Sequence, residues 1–108
     1  MNPNELMEKL GLSREEMAEL VALFVDSCRK DLEQMSAALA AEDARGVSEA
    51  AHSIKGASGN MRFMQVYELA RMIEEKAKEK SFADVQLRIE QIRSIVESIE
   101  KDFGSFSG

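Results

Sequence analysis

Apolar residues recur along the chain at steps of three and four, the spacing that places side chains on one face of an α-helix. Over residues 14–41 these positions predict a core-facing stripe made of Met17, Leu20, Val21, Phe24, Cys28, Leu32, Met35 and Leu39. Over residues 82–102 the steps alternate regularly through Val85, Ile89, Ile92, Val96, Ile99 and Phe103. Such a regular seam is typical of a helix in a bundle.

Breaks in the apolar pattern divide the chain into five predicted helices, with approximate bounds 3–10, 14–41, 44–60, 63–79 and 82–102. Residues with capping side chains precede four of them: Asn2, Ser13 with Glu16, Asp43, and Ser81 with Asp84. Ser13 and Glu16 have the spacing of a capping box, in which each side chain bonds to the other residue's backbone N–H.

Four of these helices are long and amphipathic, and their connections are short. That combination predicts an all-α, antiparallel up-and-down four-helix bundle with a short extra N-terminal helix. The chain has 108 residues and one proline, a length that suits one modest hydrophobic core. We therefore expect residues 1–108 to form a single domain.

Charge and composition narrow the range of partners. The formal net charge is −6, which argues against nucleic acid, because phosphate binding needs clustered Lys and Arg. No run of apolar residues is long enough to span a membrane, and the N-terminus lacks the pattern of a signal peptide. The single cysteine, Cys28, excludes an internal disulfide. These features predict a cytoplasmic protein.

The predicted third helix carries the only histidine of the chain and has two distinct faces. The apolar face contains Val47, Ala50, Ala51, Ile54, Ala57, Ser58 and Met61. The opposite face, expected to be exposed, contains Arg45, Ser48, His52, Lys55, Gly56 and Gly59. Each glycine inside a helix costs about 1 kcal/mol relative to alanine. Two glycines beside a lone histidine indicate that something large must come close to the imidazole.

Most site chemistries lack the residues they need. One histidine and one cysteine cannot supply a zinc site or the Glu-x-x-His pairs of a di-iron bundle. Ser53 adjoins His52, but neighbours on a helix point about 100° apart, which argues against a hydrolytic pair. Acidic and basic residues of the fourth helix are expected to be solvated: Glu74, Glu75, Lys76, Lys78 and Glu79. We expect no metal site.

His52 as a nucleophile fits the pattern better. A neutral imidazole has a lone pair available, and Lys55, one turn away, places a positive charge where the oxygens of a phosphoryl group would lie. Gly56 and Gly59 would clear the surface for a partner. The structural alternatives are an ordinary surface histidine and glycines that permit tight helix packing, although these glycines lie opposite the apolar face.

The run Ala-His-Ser-Ile-Lys-Gly-Ala-Ser-Gly-Asn at residues 51–60 closely resembles the signature of histidine-containing phosphotransfer (Hpt) domains, Ala-His-x-Leu-Lys-Gly-x-Ser. The similarity extends to Phe24, to the break at Glu42-Asp43 and to residues 69–75, so it covers most of the chain. After the signature, Arg62-Phe63 stands where many members carry small residues.

The resemblance implies that His52 is the phosphoacceptor, through Nε2, and that Lys55 supports the phosphoryl group while Gly56 and Gly59 give access. Arg45 and Ser48 are candidate docking residues, together with apolar residues around the second and third helices. The implied partners are response-regulator receiver domains, which supply the acceptor aspartate and Mg²⁺, and a hybrid or chemotaxis-type histidine kinase. The chain would have no cofactor and no ATP site of its own.

The sequence leaves two alternatives to a free-standing monomeric phosphocarrier in a two-component phosphorelay. One is the phosphoacceptor domain of a chemotaxis-type histidine kinase, which carries a very similar Ala-His-Ser-Ile-Lys-Gly run. The other is a helical bundle used only for docking or dimerisation. Solvent access to His52 distinguishes this docking bundle from a phosphocarrier, because a histidine covered by the chain's own residues would favour the docking bundle.

Overall fold

A computed structural model describes residues 3–104, with side chains for residues 4–103. It contains five helices: α1 (Pro3–Leu10), α2 (Arg14–Ala40), α3 (Ala44–Asn60), α4 (Met64–Lys78) and α5 (Val85–Gly104). No strand occurs in the described residues, and the predicted all-α class is confirmed. Asn2, the predicted cap of the first helix, and residues 105–108, which follow the last predicted helix, lie outside the described part of the chain.

The four long helices pack as a ring of neighbours. α2 contacts α3 and α5, and α4 contacts the same two helices, with the α3–α4 interface the most extensive. Because consecutive helices are joined by short connections, they run antiparallel. The described chain is elongated, with principal extents of 42 × 22 × 17 Å. The predicted up-and-down bundle with a short additional helix is confirmed.

The starts of α2 and α3 follow the capping residues that the sequence indicates. The Ser13 side chain accepts a hydrogen bond from the Glu16 backbone N–H at 3.1 Å, and Glu16 Oε1 accepts one from the Ser13 N–H at 3.0 Å. Asp43 Oδ1 accepts a hydrogen bond from the N–H of Gly46 at 3.0 Å and so caps α3. These caps satisfy backbone donors that have no partner within the helix.

Three helix ends use a left-handed residue that is not glycine: Glu42 after α2, Arg62 after α3 and Lys80 after α4, with φ of 55°, 61° and 58°. At the end of α3 the Phe63 N–H bonds to the Ser58 carbonyl at 2.9 Å, the long-range bond of a Schellman motif. This turn reverses the chain within a few residues and carries Phe63 into the core.

Phe63 lies at the centre of an aromatic cluster. Its ring centroid is 5.0 Å from that of Phe24 and 5.9 Å from that of Phe103, distances at which tilted rings attract each other. Phe63 is buried, whereas the adjacent Arg62 is exposed. The large side chain of Phe63, at a position where many Hpt domains carry a small residue, therefore fills the interior of the bundle. It contacts Phe24 of α2 and Phe103 of α5.

Details of two helices differ from the predictions. Leu20, assigned to the stripe of α2, is 38% exposed, whereas Val25, which lies off that stripe, is buried. α5 begins at Val85 instead of 82, because the Val85 N–H bonds to the Phe82 carbonyl in a turn and Asp84 has a φ of 63°. α5 also continues through Gly104, two residues beyond its predicted end at 102.

Candidate functional site

The imidazole of His52 projects from α3 into solvent, and its side chain is 68% exposed. The opposite side of the helix anchors it, since Ala51 and Ile54, its near neighbours in sequence, are fully buried. The predicted apolar face of α3 is confirmed. On the opposite face Arg45, His52 and Gly56 are exposed, whereas Ser48, Lys55 and Gly59 are half-buried. The ring is not covered by other parts of the described chain.

Glu74 of α4 reaches the histidine from the neighbouring helix. Its Oε2 lies 2.8 Å from His52 Nδ1, and its side chain is only 7% exposed. An ionised carboxylate only accepts hydrogen bonds, so Nδ1 must carry the proton in this pair. The lone pair of a neutral ring then lies on Nε2, which has no hydrogen-bond partner in the part of the chain that the structure describes.

Lys55 binds the other oxygen of the same carboxylate. Its Nζ donates a hydrogen bond to Glu74 Oε1 at 2.7 Å, and its side chain is 24% exposed. The bond to Glu74 raises the pKa of Lys55, so the group is cationic at neutral pH. Lys55 is less exposed than the sequence predicts, because its chain lies along α4 instead of pointing freely into solvent.

The ionisation of Glu74 is decided by opposing effects. Burial is the largest of them and favours the neutral acid, but hydrogen bonds from Lys55 and His52 and the charge of Lys78 favour the carboxylate. Together they lower the pKa of Glu74 below its ordinary value. Lys78 Nζ lies 3.8 Å from Glu74 Oε2. The carboxylate is therefore charged at neutral pH and faces the imidazole.

Hydroxyl groups fix the backbone of α3 around the site. Ser58 is buried, and its Oγ donates to the carbonyl of Ile54 at 2.7 Å and lies 3.1 Å from that of Lys55. Ser53 Oγ donates to Asp31 Oδ2 of α2 at 2.7 Å. Ser53 is thus bound to α2 and does not face His52, in agreement with the argument against a hydrolytic pair.

The two glycines of the motif have different surroundings. A Cβ atom at Gly56 would meet nothing within 4 Å, so the surface there is open. A Cβ at Gly59 would lie 3.3 Å from Cδ2 of Tyr67, a residue of α4. Because Gly59 has no side chain, α3 can pack closely on α4 at this point. The sequence argued against such a packing role, since Gly59 lies opposite the apolar face of α3.

Arg45 lies two turns and Ser48 one turn before His52, on the histidine side of α3. Arg45 is 89% exposed, and its Nε donates to Glu49 at 3.0 Å. Both residues line a groove between the start of α3 and the end of α4. The structure thus places all six predicted site residues along one side of α3, with only His52 and Lys55 joined through a common partner.

That common partner, Glu74, is not among the site residues that the sequence predicts. It was expected to be solvated, but it is buried and binds two site residues. The sequence does hold a signal: Ala70 and Ala77 lie four residues before and three residues after Glu74, and both are buried, as is the adjacent Ile73. An acid at the edge of an apolar stripe is a candidate for a buried contact.

Neither a metal cluster nor a membrane helix is found in residues 3–104. No group of three or more His, Cys, Asp and Glu side chains in the described chain is arranged to hold a metal ion. None of the described helices has the length and apolar character needed to cross a membrane.

Comparison with known proteins gives one match. A family model described as Hpt domain matches residues 19–102, which include α3, α4 and most of α2 and α5. Comparisons with curated proteins and with solved structures give no significant match.

Proposed function

The chain belongs to the Hpt domain family, whose members carry phosphoryl groups on histidine in phosphorelay signalling, and we propose that His52 is its phosphoacceptor. One observation carries the proposal: buried Glu74 holds Nδ1 at 2.8 Å while the ring is exposed on the opposite side. The nucleophilic nitrogen is then Nε2, which a partner's phosphoryl group can reach.

In the proposed transfer the lone pair of Nε2 attacks the phosphorus of an aspartyl phosphate on a receiver domain. The P–N bond forms as the bond from phosphorus to the aspartate oxygen breaks, and the aspartate leaves as a carboxylate. No proton has to move, because Nδ1 keeps its hydrogen. The ring gains positive charge during the attack, and the adjacent Glu74 carboxylate stabilises that charge.

Lys55 is proposed to stabilise the transferred group. Its ammonium has three donors, and one of them binds Glu74. The remaining donors can bind phosphoryl oxygens one turn from His52, where a charge-assisted hydrogen bond is strongest. Gly56, with open space beside it, is proposed to leave room for the partner's active-site loops.

Hpt domains are phosphocarriers rather than catalysts, and we propose that this chain likewise has no ATP site. The receiver holds the Mg²⁺ that the reaction uses, and a hybrid or chemotaxis-type histidine kinase supplies phosphate to the relay. We further propose that the protein acts as a monomer in the cytoplasm. Light scattering in solution tests the monomeric state, for which the proposal predicts one species with the mass of a single chain.

The alternative of a bundle used only for docking receives no support from the site. It would be favoured by a covered histidine, and His52 is 68% exposed. In a direct test the protein is incubated with a phosphorylated receiver. The proposal predicts label that is labile in acid and stable in alkali, and its absence from His52→Gln. Equal labelling of both proteins contradicts it.

A further inference from the structure

A groove separates the start of α3 from the end of α4, with a volume of about 290 Å³. Its lining residues are Ala44, Arg45, Ser48, Glu49, Ala77, Lys78 and Lys80. The two alanines add little bulk, so the longer polar side chains form its rim. Its lining residues come from the start of α3, the end of α4 and the turn that follows α4.

The rim of the groove is basic on a protein whose formal net charge is −6. Three cationic residues line it against one carboxylate, Glu49. Arg45 uses only its Nε in the contact with Glu49, which leaves four guanidinium N–H donors for another acceptor. The backbone N–H of Lys80 bonds to the Ala77 carbonyl at 2.9 Å, but its side chain makes no ion pair or hydrogen bond within residues 3–104. The groove therefore has unused positive charge.

The groove lies close to the histidine site. Ser48 precedes His52 by one helical turn on the same face of α3, and Lys78 lies 3.8 Å from the Glu74 oxygen that holds the imidazole. A partner large enough to bring an aspartate to His52 therefore comes within reach of the rim.

We propose that this groove, through Arg45 and Lys80, binds acidic residues on the phosphorylation face of the receiver domain, an inference that rests on the proposed function. A receiver that supplies both an acceptor aspartate and a Mg²⁺ site needs several carboxylates at that face. Opposite charge beside the reacting atoms speeds encounter and fixes orientation. The receiver then docks across the α3–α4 side of the bundle as well as over α2 and α3.

Charge reversal tests the proposal. The test variant is Arg45→Glu/Lys80→Glu, because neither residue contacts Glu74, whose partners are His52, Lys55 and Lys78. The matched control is Lys9→Glu/Lys101→Glu, which changes the net charge equally on exposed residues of α1 and α5. Each protein is labelled by two donors, a phosphorylated receiver and the small molecule phosphoramidate, at low and at high ionic strength.

At low ionic strength the ratio of receiver-driven to phosphoramidate-driven labelling should fall about 10-fold in the groove variant. Salt should weaken receiver-driven labelling of wild type more than that of the variant. An unchanged ratio overturns the inference, and so does an equal fall in the control, which would show an effect of overall charge. Failure of the proposed function looks different: wild type itself would then carry no label on His52 from either donor.

Discussion

Glu74 Oε2 lies 2.8 Å from His52 Nδ1, and this contact joins a buried acid of α4 to an exposed imidazole of α3. It decides which ring nitrogen faces solvent with a lone pair. The same carboxylate binds Lys55 at 2.7 Å, so one residue orients both groups that are proposed to meet the phosphoryl group.

Replacing Glu74 should slow phosphorylation without removing it. Glu74→Gln keeps a hydrogen-bond acceptor for Nδ1 but removes the charge that stabilises the developing imidazolium. We expect receiver-driven labelling of His52 to fall about 10-fold, as for the loss of about 1.4 kcal/mol of transition-state stabilisation. Glu75→Gln is the matched control, because Glu75 is exposed and pairs with Arg71.

The control should label at the wild-type rate. A positioning role also predicts a change that mere structural damage would not cause, namely a shift in the ¹⁵N spectrum of the single histidine toward a mixture of tautomers in Glu74→Ala. A wild-type tautomer and a wild-type labelling rate in Glu74→Ala would show that the contact is irrelevant to transfer.

Lys55→Ala should slow labelling by about 10- to 100-fold, the equivalent of one charge-assisted hydrogen bond of about 1.5–3 kcal/mol. The helical content should stay at the wild-type level, because alanine is a good helix former. Stopped-flow transfer and far-ultraviolet circular dichroism measure the two quantities. Unaltered transfer would contradict the proposed role, and a large loss of helicity would show that Lys55 is mainly structural.

The stability that Glu74 contributes should depend on pH. The folded state lowers the pKa of Glu74 from an ordinary value of 4.5, so folding favours the charged form. The contribution is present above pH 4.5 and is lost as pH falls through the lowered pKa. The difference in unfolding free energy between wild type and Glu74→Gln, measured by urea denaturation, should therefore shrink on acidification. A constant difference would contradict the assigned ionisation.

Alanine substitution should separate the two glycines of the motif. Gly56→Ala meets open space and should raise the free energy of unfolding by about 1 kcal/mol. Gly59→Ala should raise the free energy of unfolding clearly less. Its methyl group would lie 3.3 Å from the Tyr67 ring, and this close contact offsets the gain in helix propensity. Thermal unfolding of both variants checks this order, and equal stabilisation would show that Tyr67 moves aside freely.

The sequence predicts the parts of this structure that depend on one helix at a time. The capping box at Ser13, the cap at Asp43 and the buried apolar face of α3 follow from local spacing and are found as expected. Relations between helices are harder to foresee. Val25 is covered although it lies off the stripe of its own helix, and Glu74 is covered because α3 lies over the edge of α4.

The candidate site likewise divides into a part that one helix determines and a part that depends on the packing of two helices. His52 and Lys55 share a face by their spacing, which a helical projection gives directly. Their common partner comes from another helix, 22 and 19 residues further along the chain. Its contact depends on how far α3 and α4 approach each other, which Gly59 and Tyr67 help to set. The distance between two helices cannot be predicted from the residue pattern of either helix alone.

The bonding of phosphorus in the phosphorylated protein tests the central claim most directly. His52 is the only histidine of the chain, so protein labelled with ¹⁵N-histidine gives one pair of ring signals. After phosphorylation by a receiver, we predict ¹⁵N–³¹P coupling at Nε2 and a protonated Nδ1. Phosphorus on Nδ1, or on neither ring nitrogen, would contradict the account.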